Sequence, residues 1–136
     1  MKNSLFVIDT NTLISSSLFA NSFPRKAVSK VNEIGKISAS IETYREFFEV
    51  FLRPKFDKYI SLETRLGILF DFKQLAIFSE ISEIITTCRD PKDNKFLELA
   101  VSTNALCIIT GDKDLLMLHP FGNIPILNAF DFIHKF

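Results

Sequence analysis

The chain has 136 residues, 47% hydrophobic and 24% charged, with 16 Lys and Arg balancing 16 Asp and Glu. This composition excludes a disordered chain, which combines low hydrophobicity with high net charge, and four Gly and five Pro exclude collagen-like and low-complexity classes. The length suits a single domain spanning 1–136, and no apolar run reaches the roughly 18 residues that a membrane-spanning helix needs.

In chain order, Met1-Lys2-Asn3-Ser4 leads into the short apolar run Leu5 to Ile8, too brief for a signal peptide, so a cytoplasmic protein without a membrane segment is expected. That run reads as a buried strand ending at Asp9. Pro24 opens a helix through about Glu33, stopped by Gly35. Lys36 to Ala39 reads as a second strand. Ser40 caps a helix running to Leu52 and ended by Arg53-Pro54; Ser61 caps another through about Leu75. Ala76 to Phe78 reads as a third strand. Asp90-Pro91 reads as a cap followed by Pro at the first helical position, with the helix running to about Thr103. Leu106 to Thr110 is a fourth strand, closed by Gly111-Asp112. Lys113 to Leu118 forms a short helix, Ile124 to Leu127 a fifth strand, and Ala129 to Lys135 a last helix. This alternation predicts an α/β fold of three layers: a central parallel sheet of about five short strands with helices on both faces. Fifteen Phe and no Trp imply a core of Phe, Leu and Ile. Cys88 and Cys107, without a CxxC or a Cys/His cluster, are expected to be buried free thiols.

Two acids directly follow the two strongest strands, Asp9 after LFVI and Asp112 after CIITG. Ligands in parallel sheets bind beyond the carboxyl ends of strands, so both are placed at one edge, and Asp93 at the start of the Asp90 helix can face it. Each has a structural reading beside the functional one. Asp90 caps a helix, Asp93 complements a helix dipole, and Asp112 caps the helix that follows. Asp9 is hardest to explain structurally, because an acid at the end of a buried strand is costly unless paired or coordinated. His119 and His134 read as surface residues. All-oxygen ligation without His or Cys selects hard cations, Mg²⁺ or Mn²⁺, which points to metal-dependent hydrolysis of a phosphate ester. Setting the site's acids aside leaves a mildly basic remainder, compatible with a polyanionic substrate.

At these residues the chain resembles the PIN-domain family of small Mg²⁺/Mn²⁺-dependent ribonucleases, and most of all its VapBC-like branch, the toxins of bacterial type II toxin–antitoxin pairs. The resemblance rests on VIDTNTLIS at 7–15, YREFFEVFLRPKF at 44–56, RDPKDNKFLELA at 89–100 and IITGDKDLL at 108–116, four motifs in order over nearly the whole chain. It implies a PIN-like fold and four acids, Asp9, Glu46, Asp93 and Asp112, as metal ligands and catalytic groups. It makes Asn11, Asp90, Thr110 and Asp114 their accessory neighbours. Only the resemblance selects Glu46, since helical periodicity puts Ile41, Tyr44, Phe47, Phe48, Phe51 and Leu52 on the apolar face and leaves Glu42, Glu46 and Glu49 alike in solvent. RNA is the implied substrate, with Arg53, Lys55, Lys58, Lys92, Lys95 and Lys113 as candidate phosphate contacts. Phe56 and Tyr59 are expected to pack in the core rather than stack on bases. An antitoxin protein and a second copy of the chain are the implied partners. Two other functions compete: a haloacid-dehalogenase-like phosphatase with Asp9 as nucleophile, where Asn11 and Leu13 depart from that family's pattern, and a non-catalytic binding module on a PIN scaffold.

Overall fold

The computed structural model describes residues 4–136; Met1, Lys2 and Asn3, part of the leader expectation, lie outside the described residues. The elements are β1 (Leu5–Ile8), α1 (Thr10–Leu18), α2 (Phe23–Ile34), β2 (Lys36–Ala39), α3 (Ile41–Phe51), α4 (Leu62–Leu75), β3 (Ile77–Phe78), α5 (Asn94–Thr103), β4 (Cys107–Ile109), α6 (Lys113–Leu116), β5 (Ile126–Leu127) and α7 (Ala129–Lys135), with 3₁₀ turns at Pro54–Phe56 and Pro91–Asp93. The strands form one parallel sheet in the order β3-β2-β1-β4-β5. The chain winds outward from β1 to β3 and then returns to the other side of β1. The order therefore reverses between β1 and β4, and a crevice opens beyond their carboxyl ends.

The central strands β1 and β4 are apolar without interruption because both faces of the sheet are covered there. Phe6, Ile8, Cys107 and Ile109 point into one core with Ala27 and Val31 of α2, Phe47 and Phe51 of α3, Leu69 of α4 and Phe132 of α7. Val7, Ile108 and Ile126 point into the other, against Phe96, Leu97, Leu99 and Ala100 of α5 and Leu115 of α6. Cys88 and Cys107 are buried free thiols, pushed by burial up to about 11 and about 12. Gly35 is fixed by crowding, since a Cβ there would lie 2.4 Å from the Ser4 carbonyl oxygen and 2.9 Å from the Phe6 ring.

Four expectations need correction. Residues 10–18 form a helix that the alternation of runs does not announce, because TNTLISSSL has no strong apolar stripe; the Asp9 cap starts it and burial of Leu13 and Ile14 holds it. The helix expected from Pro91 is instead a 3₁₀ turn followed by α5, because the Asp90 side chain ties the first turn through the Lys92 amide at 3.0 Å. Several elements are shorter than expected, β5 starting at Ile126 after a bridge between Phe121 and Ile124 and α6 ending at Leu116. On α3 the buried stripe is Thr43, Phe47 and Phe51, while Ile41 and Phe48 stay exposed.

Candidate functional site

The parallel register pairs Ile8 with Ile109, so the next residues, Asp9 and Thr110, leave the sheet side by side. Asp9 is the N-cap of α1: its Oδ1 accepts the Thr12 amide at 2.9 Å and its Oδ2 accepts the Thr110 hydroxyl at 2.5 Å. The carboxyl is almost fully buried. Burial pushes its pKa up, the hydrogen bonds from Thr110 and Thr12 oppose that, and the negative charge of Asp112 adds to it. Thr110 also accepts the Asp112 amide at 2.9 Å, so one hydroxyl fixes two acids. Asp112 caps α6, its Oδ1 accepting the amides of Asp114 at 2.7 Å and Leu115 at 3.3 Å.

From α3, Glu46 reaches the same place. Its Oε1 accepts the Thr10 hydroxyl and its Oε2 meets the Lys95 ammonium at 2.5 Å. Asp93 stands at the N-cap of α5 without capping it through its side chain. Its pKa is pushed up to about 6, first by burial and then by the negative charges of Asp112, Asp90, Glu46 and Asp9. That list of causes is the electrostatic record of convergence, because acids from four separate parts of the chain feel one another.

These side chains line one open cleft of about 660 Å³. Asp9, Glu46, Asp90, Asp93 and Asp112 face it, as do Asn11 on the first turn of α1 and the cations Arg53, Lys55 and Lys92. Thr110 lies beneath, and Asp114 contributes its amide to the Asp112 cap rather than its carboxylate to the cleft. Lys58 and Lys113 are not among the lining residues. Both histidines stand aside and are exposed; His119 Nδ1 accepts the Ile126 amide at 2.8 Å. The polar side of α3, which periodicity reads as solvated, is a cleft wall made by Glu42, Arg45, Glu46 and Glu49. Sequence reasoning missed Thr10 altogether, since nothing in its spacing points 36 residues ahead to Glu46, and it placed Lys95 with the phosphate contacts rather than with Glu46.

With neither His nor Cys lining the cleft, its donors are oxygens, the set that suits a hard divalent cation. The carboxylates do not close on a point by themselves: among the described residues, no group of three or more His, Cys, Asp and Glu is gathered to hold a metal ion. The cation next to Glu46 is the Lys95 ammonium.

The PIN-domain family model matches residues 6–114, which contain all four acids. An uncharacterized protein of Methanocaldococcus jannaschii, MJ1680, is 39% identical over 116 residues, covering 82% of this chain and 73% of its own. Among solved structures, VapBC-1 from nontypeable Haemophilus influenzae superposes with a TM-score of 0.60 at 14% identity, covering 93% of this chain and 98% of the other. VapBC2 from Rickettsia felis bound to a DNA fragment from their promoter does so with a TM-score of 0.59 at 14% identity, covering 91% and 98%. The chain belongs to the PIN-domain family, a family of nucleases, and its three-layer α/β fold is the PIN fold. Membership separates it from the phosphatase alternative.

Proposed function

We propose that residues 1–136 form one PIN domain acting as a divalent-metal-dependent endoribonuclease, the toxin of a toxin–antitoxin pair. Asp9, Glu46, Asp93 and Asp112 are its metal ligands and catalytic groups. The observation that carries this reading is the geometry: Asp9, Glu46, Asp93 and Asp112, from four separate parts of the chain, line one cleft, and burial together with its acidic neighbours pushes the pKa of Asp93 up to about 6. Perturbed carboxylates gathered in a cleft are what functional sites present. Mg²⁺ or Mn²⁺ bound there would neutralise a phosphodiester's charge and acidify an attacking water. The chain's own residues set the stage. Thr110 holds Asp9 and positions the Asp112 amide, and Thr10 holds one oxygen of Glu46. Lys95 balances Glu46's other oxygen, the charge that a bound divalent cation would also meet. Asp90 and Asn11 border the ligands, and Arg53, Lys55 and Lys92 meet the RNA backbone at the rim.

Labelled RNA tests this reading with Mn²⁺ and with EDTA. Cleavage is expected only with metal, and to fall by orders of magnitude in Asp9→Asn, Asp112→Asn and Glu46→Gln while Glu63→Gln on α4 cleaves normally. Full cleavage by Asp9→Asn overturns the assignment.

The toxin reading extends to partners, an antitoxin and a second copy of the chain. Its support is the likeness to the two VapBC structures and the exposed apolar side chains of α4 and β3, Leu62, Leu66, Phe70, Ile77 and Phe78. A cytoplasmic location goes with it; no helix among the described residues is long and apolar enough to cross a membrane. Co-expression with the neighbouring reading frame should yield a complex containing two copies of this chain by light scattering. A lone monomer contradicts the partner assignment.

A further inference from the structure

The segment Arg53 to Ile60, between α3 and α4, is held as firmly as a helix. Backbone bonds run from the Arg53 amide to Val50, from Phe56 to Arg53, from Asp57 to Pro54, and from Tyr59 and Ile60 to Phe56, all between 3.0 and 3.2 Å. Arg65 of α4, with no exposed surface, locks it from beneath: Nη1 donates to the carbonyls of Phe51 at 2.9 Å and Arg53 at 3.1 Å, Nε to Ser61 at 3.4 Å, and Nη2 to Asp57. Asp57 is the acid of this segment and its charge is met by Arg65, so Arg53, Lys55 and Lys58 leave the surface strongly positive.

Phe56 is turned inward against Phe51, as expected of it, but Tyr59 is not: its side chain is 55% exposed. It stands against Phe19, 49% exposed, with ring centroids 6.2 Å apart and planes at 76°. Phe19 caps the far end of α1, whose first residues, Thr10 and Asn11, line the cleft. Nine helical residues put the pair about 14 Å along the helix from the acids. Arg53 and Lys55 line the cleft itself, and Lys58 lies 5.2 Å from the Tyr59 ring centroid. A track of cations therefore leaves the cleft and ends at two half-exposed aromatic rings set as a corner.

We propose that this corner is a base-stacking site for single-stranded RNA, the strand leaving the acid cleft past Arg53 and Lys55 and laying a base against Tyr59 and Phe19. A ring accepts any base, because every base has a π-face, while a duplex keeps its bases stacked on one another and has none to offer. The inference rests on the nuclease reading, which supplies the strand, and adds to it a place outside the acid cleft where a base is held.

The test is fluorescence anisotropy with a fluorescein-labelled single-stranded oligoribonucleotide of mixed sequence, and the same strand annealed to its complement, on the full chain carrying Asp112→Asn. Tyr59→Ala and Phe19→Ala should each weaken single-strand binding about tenfold. Tyr59→Phe and Tyr59→Trp, which keep a ring, should retain it, as should Phe130→Ala at an exposed aromatic on α7. Duplex binding should be weaker and indifferent to all of them. Unchanged binding in Tyr59→Ala, with Arg53→Ala still weakening it, overturns the stacking site and leaves the nuclease reading standing. No binding of either RNA by the parent overturns the stacking site, while cleavage of labelled RNA by the wild-type chain decides the nuclease reading separately.

Discussion

A single hydroxyl, that of Thr110, ties the end of β1 to the end of β4. It donates to the Asp9 carboxylate and accepts the Asp112 amide from a fully buried position. Thr110→Val keeps the shape and removes both bonds, leaving polar groups of two acids without their partner. A loss of roughly 1–3 kcal/mol in denaturant unfolding is expected, together with reduced cleavage. Asp93 gives a pH prediction. Its pKa is about 6 in the fold against 3.8 as the ordinary value. The fold therefore favours the protonated carboxyl. That contribution is fully present below pH 3.8 and is lost as pH rises through about 6, above which the fold carries the strain of the charged group. In metal-free protein, Asp93→Asn should raise the melting temperature at pH 8, and the gain should vanish towards pH 4. A gain independent of pH contradicts the strain. Asp9, Asp93 and Asp112 were legible in the sequence because they sit where strands end or helices begin. Thr10 and Lys95 were not, because their partner Glu46 is reached only through the tertiary fold.

At the scale of elements, the caps do most of the positioning. Asp9 starts α1, Ser40 and Thr43 close a reciprocal capping box on α3, and Asp112 starts α6. For Asp9 the structural and chemical roles are separable by substitution. Asn still accepts the Thr12 amide, so Asp9→Asn should melt close to wild type while losing activity. Asp9→Ala should lose about 1 kcal/mol more, as a cap does. Equal stability of the two denies the cap its part. Gly35 governs the entry to β2: Gly35→Ala drives a Cβ into the Ser4 carbonyl and the Phe6 ring, and a loss of about 1–3 kcal/mol is expected by calorimetry. Strand and helix order was readable from apolar runs, Pro and Gly. The helix at 10–18 was not, since Ser15, Ser16 and Ser17 carry little helical preference and α1 is held by its cap and by packing. The wall of the cleft was hidden for the opposite reason. Glu42, Glu46 and Glu49 obey the periodicity of a solvated face, and it is the start of α1, the turn at 91–93, the start of α5 and Asp112 that make that face the side of a site.

Over the whole molecule, a neutral total conceals an uneven distribution. Acids gather at the switch point of the sheet, and cations stand on the rim and along the segment after α3. That arrangement suits the divalent ion proposed for the centre and the polyanion proposed for the edge. The fold could be inferred before the structure because short apolar runs alternate with helical patterns and four motifs resemble one family; the strand order and the exposed faces of α4 and β3 could not, since nothing in the apolar pattern marks them. Divalent ions that bind the native cleft and not the unfolded chain should raise the melting temperature by mass action. The most direct measurement is calorimetric titration of Mn²⁺ into the folded wild-type chain and into Asp112→Asn. The account predicts a saturable binding event in the wild type that is lost in a variant still folded by circular dichroism. Equal binding by both proteins, or none by the wild type, would contradict it.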